Sequence, residues 1–182
     1  MTASHALPGF GDPAVGFDTP FDMLEACHER VLRSLALLQK LQDYLHDHPC
    51  DDSARQAARD VLRYFDMAAP LHHEDEELHV FPPLLERGGA DTVAAVRELQ
   101  QDHEAMSANW QAARALLQAL AEGTKESFSA PDEAVLARFA GVYAEHIRLE
   151  EDLVYPAARA LLAPEAAQAM GAEMRRRRGA AG

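Results

Sequence analysis

The sequence predicts an all-α protein: an up-down-up-down four-helix bundle with an extended N-terminal arm and a short C-terminal fifth helix. Three observations predict it. From residue 20 onward Ala, Leu, Glu, Gln and Arg dominate, with no β-branched run and no Asn-Gly hairpin signal. Breaker residues interrupt the chain at His48–Ser53, Gly88-Gly89, Gly123–Pro131 and Ala163-Pro164. Between the breaks, apolar residues recur at alternating spacings of three and four, the period of one helical face.

Taken in order, residues 1–19 are rich in Gly and Pro, lack an apolar period and read as an extended arm. Helices are predicted at about 20–47, 53–86, 90–122 and 132–161, with a short fifth at about 165–174. The organisation that follows is an arm at 1–19, a bundle at 20–162, and a short helix with an Arg-rich tail at 163–182. Pro70 removes a backbone donor inside helix two and is expected to kink it, while Pro82, Pro83 and Pro156 are expected to bend or end helices two and four. The run Arg175–Arg178 reads as a solvated, disordered tail, with a weak anionic contact as the alternative.

Composition narrows the function. A chain of 182 residues and 20.0 kDa is one domain, long enough to build a core without disulfides. Lys and Arg number 17 against 30 Asp and Glu, and a net charge of −13 repels phosphate backbones, so no nucleic-acid partner is expected. No apolar run approaches the roughly 18 residues of a membrane span, so no membrane partner is expected either. The N-terminus lacks the basic-then-apolar order of a secretory leader, and Cys27 and Cys50 make no disulfide framework. The expected compartment is the cytoplasm.

The core stripes contain intruders. Helix one gives Phe21, Leu24, His28, Val31, Leu35, Leu38 and Leu45; helix two gives Leu62, Phe65, Ala69, His72 and Glu76. Helix three gives Val96, Leu99, His103, Met106, Trp110, Ala113 and Leu117; helix four gives Leu136, Phe139, Tyr143, His146, Glu150 and Leu153. Four histidines and two glutamates, spread over all four helices, thus occupy core positions. A lone core histidine is commonly a hydrogen-bonded packing residue; six such groups need a common explanation.

An internal repeat supplies one. Residues 72–82 and 146–156 share the frame H-x-x-x-E-E-x-x-V-[FY]-P at an offset of 74, and His28 and His103 differ by 75. A single H-x-x-x-E pair is weak evidence; the same eleven-residue frame occurring twice is much stronger. The midpoint of His28 and His72 is residue 50, and that of His103 and His146 falls beside Gly123-Thr124. Both midpoints, and the midpoint of residue 74 and His103 at Gly88-Gly89, coincide with breaks. Antiparallel helices joined there bring the six residues to one height, and His and Glu four apart share a helix face.

Two buried carboxylates are costly unless paired with cations or metal. One reading is a buried His–Glu hydrogen-bond network; a metal site explains the residue types better. Imidazole with carboxylate and no thiolate suits iron, manganese or zinc. Six ligands exceed the four of a tetrahedral zinc, whereas two metals with two bridging carboxylates fit. The reverse order, Glu-x-x-His, marks ferritin-like di-iron bundles.

On these residues, His28, His72-x-x-x-Glu76, His103 and His146-x-x-x-Glu150, with the trailing Phe81-Pro82 and Tyr155-Pro156, the sequence over about 20–160 resembles the hemerythrin-like (HHE cation-binding) family. The resemblance implies a non-haem di-iron centre of two iron ions with an oxo, hydroxo or water bridge. It implies that His28 and His72 bind one iron, that His103 and His146 bind the other, and that Glu76 and Glu150 bridge them. Oxygen-carrying hemerythrins have a further histidine one turn after the third-helix His, where this chain has Ser107, and an Asp five residues after the last His, where this chain has Glu150. Ligand counting then leaves one open position on each metal, with the small residues Ser107, Ala69 and Ala68 giving room for an exogenous ligand.

The expected function is binding or sensing of oxygen or another small diatomic ligand such as nitric oxide. The alternative is a di-iron redox enzyme handling peroxide or nitric oxide, or an iron donor for iron–sulfur cluster repair. Among neighbours, His73 and Glu77 form a second H-x-x-x-E pair one residue out of register, and the Phe65–Ala69–His72–Glu76 stripe favours His72 and Glu76. His79 reads as a surface residue, or a fifth ligand if Pro70 rotates the last turns. His46 and His48 read as solvated, Tyr143 as core packing or a contact to an open metal position, and Cys27 as a buried packing residue.

Overall fold

The computed structural model describes residues 16–179, so the arm expected at 1–19 falls mostly outside the described residues. In order, the elements are α1 (Pro20–Asp47), α2 (Asp52–Asp75), a π-helical turn (Glu76–Val80), α3 (Phe81–Arg87), α4 (Ala90–Ala121), α5 (Ala130–Gly141), α6 (Tyr143–Leu149), a second π-helical turn (Glu150–Val154), α7 (Tyr155–Leu161) and α8 (Pro164–Arg177). There is no strand among the described residues, and no helix there is long and apolar enough to cross a membrane. The segments α2 to α3 and α5 to α7 run on as continuous rods, so α1, α2–α3, α4 and α5–α7 make the four-helix bundle.

Side chains set the rod ends. The Asp51 carboxylate accepts the Ala54 N–H at 2.8 Å and caps α2. Ser129 and Asp132 form a reciprocal capping box at the start of α5. At the end of α4, Gly123 adopts φ +76°, and the Thr124 N–H returns to the Ala119 carbonyl at 2.9 Å.

None of the prolines expected to kink or end a helix interrupts its rod. The α2 helix runs through Pro70 without interruption. Pro82 and Pro156 do not end their rods. Each lies just after a π-helical turn, in which the Phe81 N–H reaches the Glu76 carbonyl and the Tyr155 N–H reaches that of Glu150. A proline has no N–H for the carbonyl four residues back and its ring crowds that carbonyl; one inserted residue widens the helix and relieves both. The two turns begin at the two glutamates of the repeat.

The core is divided. One apolar cluster, including Val31, Leu38, Phe65, Trp110, Leu117 and Phe139, fills the half nearer the Pro49 and Gly123 turns. A second, including Phe21, Leu24, Phe81, Leu99, Tyr155 and Met174, fills the other half. The polar stripe residues lie between them. The α8 helix closes the second end, and Gly171 makes this fit: a Cβ there would stand 1.9 Å from the Phe17 carbonyl oxygen.

The Arg-rich run corrects its reading as a disordered tail. The helix continues to Arg177, and Arg177 and Arg178 both bind the Asp75 carboxylate, the latter at 2.6 Å. Asp75 is fully buried, so its charge requires these partners.

Candidate metal centre

His28 comes from α1, His72 from the end of α2, His103 from α4 and His146 from α6, while Glu76 and Glu150 open the two π-helical turns. All six are buried, the two glutamates completely. Glu150 Oε2 lies 3.0 Å from His28 Nε2, and its Oε1 lies 3.1 Å from His146 Nε2. Glu76 Oε1 lies 3.5 Å from His72 Nε2, and its Oε2 lies 3.4 Å from His103 Nε2. Each carboxylate thus offers one oxygen to each side of the layer.

A third histidine completes one side. His73, read from the sequence as out of register, stacks on His103 with ring centroids 4.0 Å apart and stands 6.1 Å from the His146 ring. Adjacent helical residues point about 100° apart. Because α2 sits at a corner of the bundle, packed on both α1 and α4, His72 faces His28 while His73 faces His103. Two groups of converging ligand atoms result, His28–His72–Glu76–Glu150 and His73–His103–His146, with the atoms of each group within 4.8 Å of one another. The structure therefore sets two histidines on one side of the layer and three on the other.

Three of the imidazoles are aimed by carboxylates, of which the sequence reading weighed Glu77 alone, as a ligand paired with His73. Nδ1 of His28 meets Glu151 at 2.8 Å, Nδ1 of His103 meets Glu77 at 3.0 Å, and Nδ1 of His146 meets Asp102 at 3.2 Å. A carboxylate on Nδ1 fixes the ring and turns Nε2 toward the centre, as outer partners of metal-bound histidines do. Glu77 and Glu151 are the second glutamates of the two Glu-Glu pairs, 74 residues apart. That repeat was the available signal.

Tyr155 was also missed. Its hydroxyl donates to Glu76 Oε1 and lies 3.2 Å from His28 Nε2, and its ring stacks on that of His28 at 5.5 Å. The residue at the same place in the first repeat, Phe81, stacks on His103 at 5.6 Å.

Other candidates fall elsewhere. His79 binds Glu173 at 2.8 Å, away from the layer. Tyr143 packs in the first apolar cluster, 5.5 Å from the Phe139 ring. His46 pairs with Glu133 at 3.2 Å, His48 stacks on Tyr44, and Cys27 is buried. Ser107 and Ala69 line a cavity beside His73; Ala68 packs against the core.

Without metal the electrostatics are strained. Burial opposes the charge of His28, but the contact and charge of Glu150, helped by Glu76 and Glu151, push its pKa up to about 9. Burial and the Glu150 charge push Glu76 up to about 7. Burial also works to raise Glu150, but His146 and His28 hold it well below the usual carboxylate range. Burial takes His72 and His73 well below the ordinary histidine value, which keeps both neutral and able to coordinate.

The donor set fits metal ions. Apart from their close approaches to one another, His103 Nε2, His146 Nε2, Glu76 Oε2 and both Glu150 oxygens are buried with no well-formed hydrogen bond among the described residues. A protein rarely leaves so many buried polar atoms unpaired in one place. Five imidazoles and two carboxylates converging their lone pairs are satisfied by cations.

Comparison with known proteins agrees. The chain is 35% identical over 162 residues to an uncharacterized protein of Haemophilus influenzae, covering 89% of this chain and 91% of that protein. The model of the hemerythrin HHE cation binding domain matches residues 19–158, which take in the whole polar layer and reach into α7 of the fourth rod. The chain belongs to the hemerythrin HHE cation-binding domain family.

Proposed function

We propose that the layer holds two iron ions, His28 and His72 binding one, His73, His103 and His146 binding the other, and Glu76 and Glu150 spanning both. The observation that carries this is the placement of each carboxylate, one oxygen toward each histidine group, with both Glu150 oxygens otherwise unpartnered. Imidazole and carboxylate ligation without thiolate suits iron. A di-iron pair with a solvent bridge would supply redox-active positions able to take up dioxygen, nitric oxide or peroxide.

The chain's own residues prepare for that ligand. Three carboxylates hold the Nε2 atoms of His28, His103 and His146 in place. Tyr155 keeps a proton on the Glu76 side of the layer, because burial raises its pKa well above the ordinary tyrosine value. The two apolar clusters exclude bulk water from both ends. The proposed role is binding or sensing of a small diatomic ligand.

Protein produced with adequate iron should carry about two irons per chain. X-ray absorption should show nitrogen and oxygen neighbours without sulfur. One metal per chain, or thiolate ligation, would overturn the reading. Mixing the reduced protein with dioxygen separates binding from turnover: a coloured adduct reversed under vacuum supports binding, and irreversible oxidation with consumption of added peroxide supports an enzyme.

A further inference from the structure

Three of the six differences between the two eleven-residue frames lie at positions that meet α8. Where the second frame has Arg148, Leu149 and Leu153, the first has Glu74, Asp75 and His79. Arg177 lies 2.9 Å from Glu74 and also binds Asp75, Arg178 binds Asp75 at 2.6 Å, and Glu173 meets His79 at 2.8 Å. Glu173 ties back to Arg177 at 2.8 Å, so these contacts form one network. Glu76 stands inside it: two of the held residues immediately precede it and the third follows it on the same π-helical turn.

The second π-helical turn is held differently. Arg148 pairs with Glu145 and Asp152 of its own rod, and Leu149 and Leu153 pack against the second apolar cluster. A leucine thus serves at the place where the first frame has a fully buried carboxylate. Replacing a buried ion pair by apolar residues of similar volume is often neutral or stabilising, so stability alone does not account for the charges. What the arginines add is direction. A planar guanidinium fork fixes where a carboxylate sits, whereas apolar contacts tolerate sliding.

Docking of α8 does not itself need them. Met170 and Met174 already bury its apolar face in the second cluster. Arg177 and Arg178 lie beyond these, at the C-terminal end of α8, and their carboxylate partners are Glu74, Asp75 and Glu173.

We propose that Asp75, Arg177 and Arg178 are positioning residues for the metal layer: α8 clamps the turn that carries Glu76, sets that carboxylate between the two histidine groups, and couples its own docking to metal occupancy. This rests on the reading of the layer as a metal centre. Such coupling is reciprocal, so docking of α8 tightens metal binding and bound metal tightens docking. Two measurements on the purified full-length protein test it, with cobalt(II) as the probe, since imidazole–carboxylate sites accept several divalent ions. Hydrogen exchange reads the docking. Cobalt loading should slow exchange over Pro164–Arg177 several-fold more than over Ala130–Gly141, a helix that carries no ligand. Titration followed by the visible bands of cobalt reads the layer. The double variant Arg177→Gln, Arg178→Gln should bind cobalt about tenfold more weakly, the usual cost of losing an outer partner. It should also shift the bands and lose the extra slowing in α8, and lysine at both positions should restore part of the affinity. Arg175→Gln, which touches Asp18 and Phe17 rather than the turn, should match wild type. If the arginines only hold α8 in place, the double variant will melt lower yet keep wild-type cobalt affinity and bands, and that result overturns the proposal. Loading that slows α8 no more than α5 also overturns it and needs no variant, so a double variant that fails to fold does not shield the proposal. One cobalt per chain, with an affinity that still depends on Arg177 and Arg178, would sink the two-metal reading and leave the clamp standing.

Discussion

The two halves of the polar layer are built from one eleven-residue frame that differs at six positions, two of which bear on the layer itself. At an offset of 74, His72 matches His146, Glu76 matches Glu150, and the carboxylates Glu77 and Glu151 match as the Nδ1 partners of His103 and His28. Both frames contain a π-helical turn beginning at the glutamate. The two that bear on the layer are Tyr155 against Phe81 and His73 against Ile147. A tyrosine hydroxyl reaches Glu76 from the His28 side, and a third imidazole stands on the His103 side. The shared frame builds a paired site; these two exceptions make its halves chemically unequal, one with a hydroxyl proton on its carboxylate, the other richer in nitrogen and beside a half-open cavity.

The largest effect should come from the groups that belong to both halves. Glu150→Ala removes the oxygens facing His28 and His146 together. Metal content should fall well below two per chain. In the metal-free protein, leaving those histidines without their carboxylate should cost about 3–5 kcal/mol, the usual result of breaking a buried pair. Elemental analysis and thermal melting check both. Full loading of the variant would show that the halves bind independently and that Glu150 spans nothing.

How far the site could be read from sequence depended on helical register. The apolar period and the three midpoints place His28, His72, Glu76, His103, His146 and Glu150 at one height, and the structure brings them together because the rods are antiparallel and the turns lie where the breakers fall. His73 escaped because a single straight stripe assigns one inward face to each helix, whereas a helix at a corner presents two. Tyr155 escaped because the π-helical turn inserts a residue: the stripe leads to Leu153, while Val154 and Tyr155 are the buried pair. The Asp75–Arg177–Arg178 cluster escaped because a run of arginines gives no sign of the fully buried carboxylate that awaits it.

Tyr155→Phe sharpens the comparison by making the His28 side resemble the other. The Glu76 oxygen it serves is completely buried, and a buried acceptor left unpaired costs about 1–3 kcal/mol. That loss should appear in the melting of metal-free protein and shrink in loaded protein, where metal takes up the carboxylate. An equal loss in both states would mean that Tyr155 packs against His28 without serving Glu76.

The smallest expected effect is a pH dependence that separates the metal-free from the loaded layer. His28, His103 and His146 have pKa values raised above the ordinary histidine value, His28 to about 9, because contact with the glutamates outweighs burial. A folded state that binds protons more tightly than the unfolded chain is stabilised below the unfolded pKa and loses that contribution as pH rises. Histidine in the unfolded chain titrates near 6.5, so metal-free protein should lose stability between about pH 6.5 and 9. Glu76, raised to about 7, adds loss of the same sign as pH climbs toward that window. His72, His73 and Glu150 are shifted the other way and act below it. Because the histidines share the same two carboxylates, their contributions do not add in full, and the net fall should be on the order of 1 kcal/mol, or about 2–4 °C in melting temperature for a chain of this size. In loaded protein the imidazoles are held neutral by metal, so the same rise in pH should leave the melting temperature level or raise it as protons cease to compete. Parallel falls in the two forms would show that the histidines carry their protons whether or not metal is present, and would remove them from the coordination sphere.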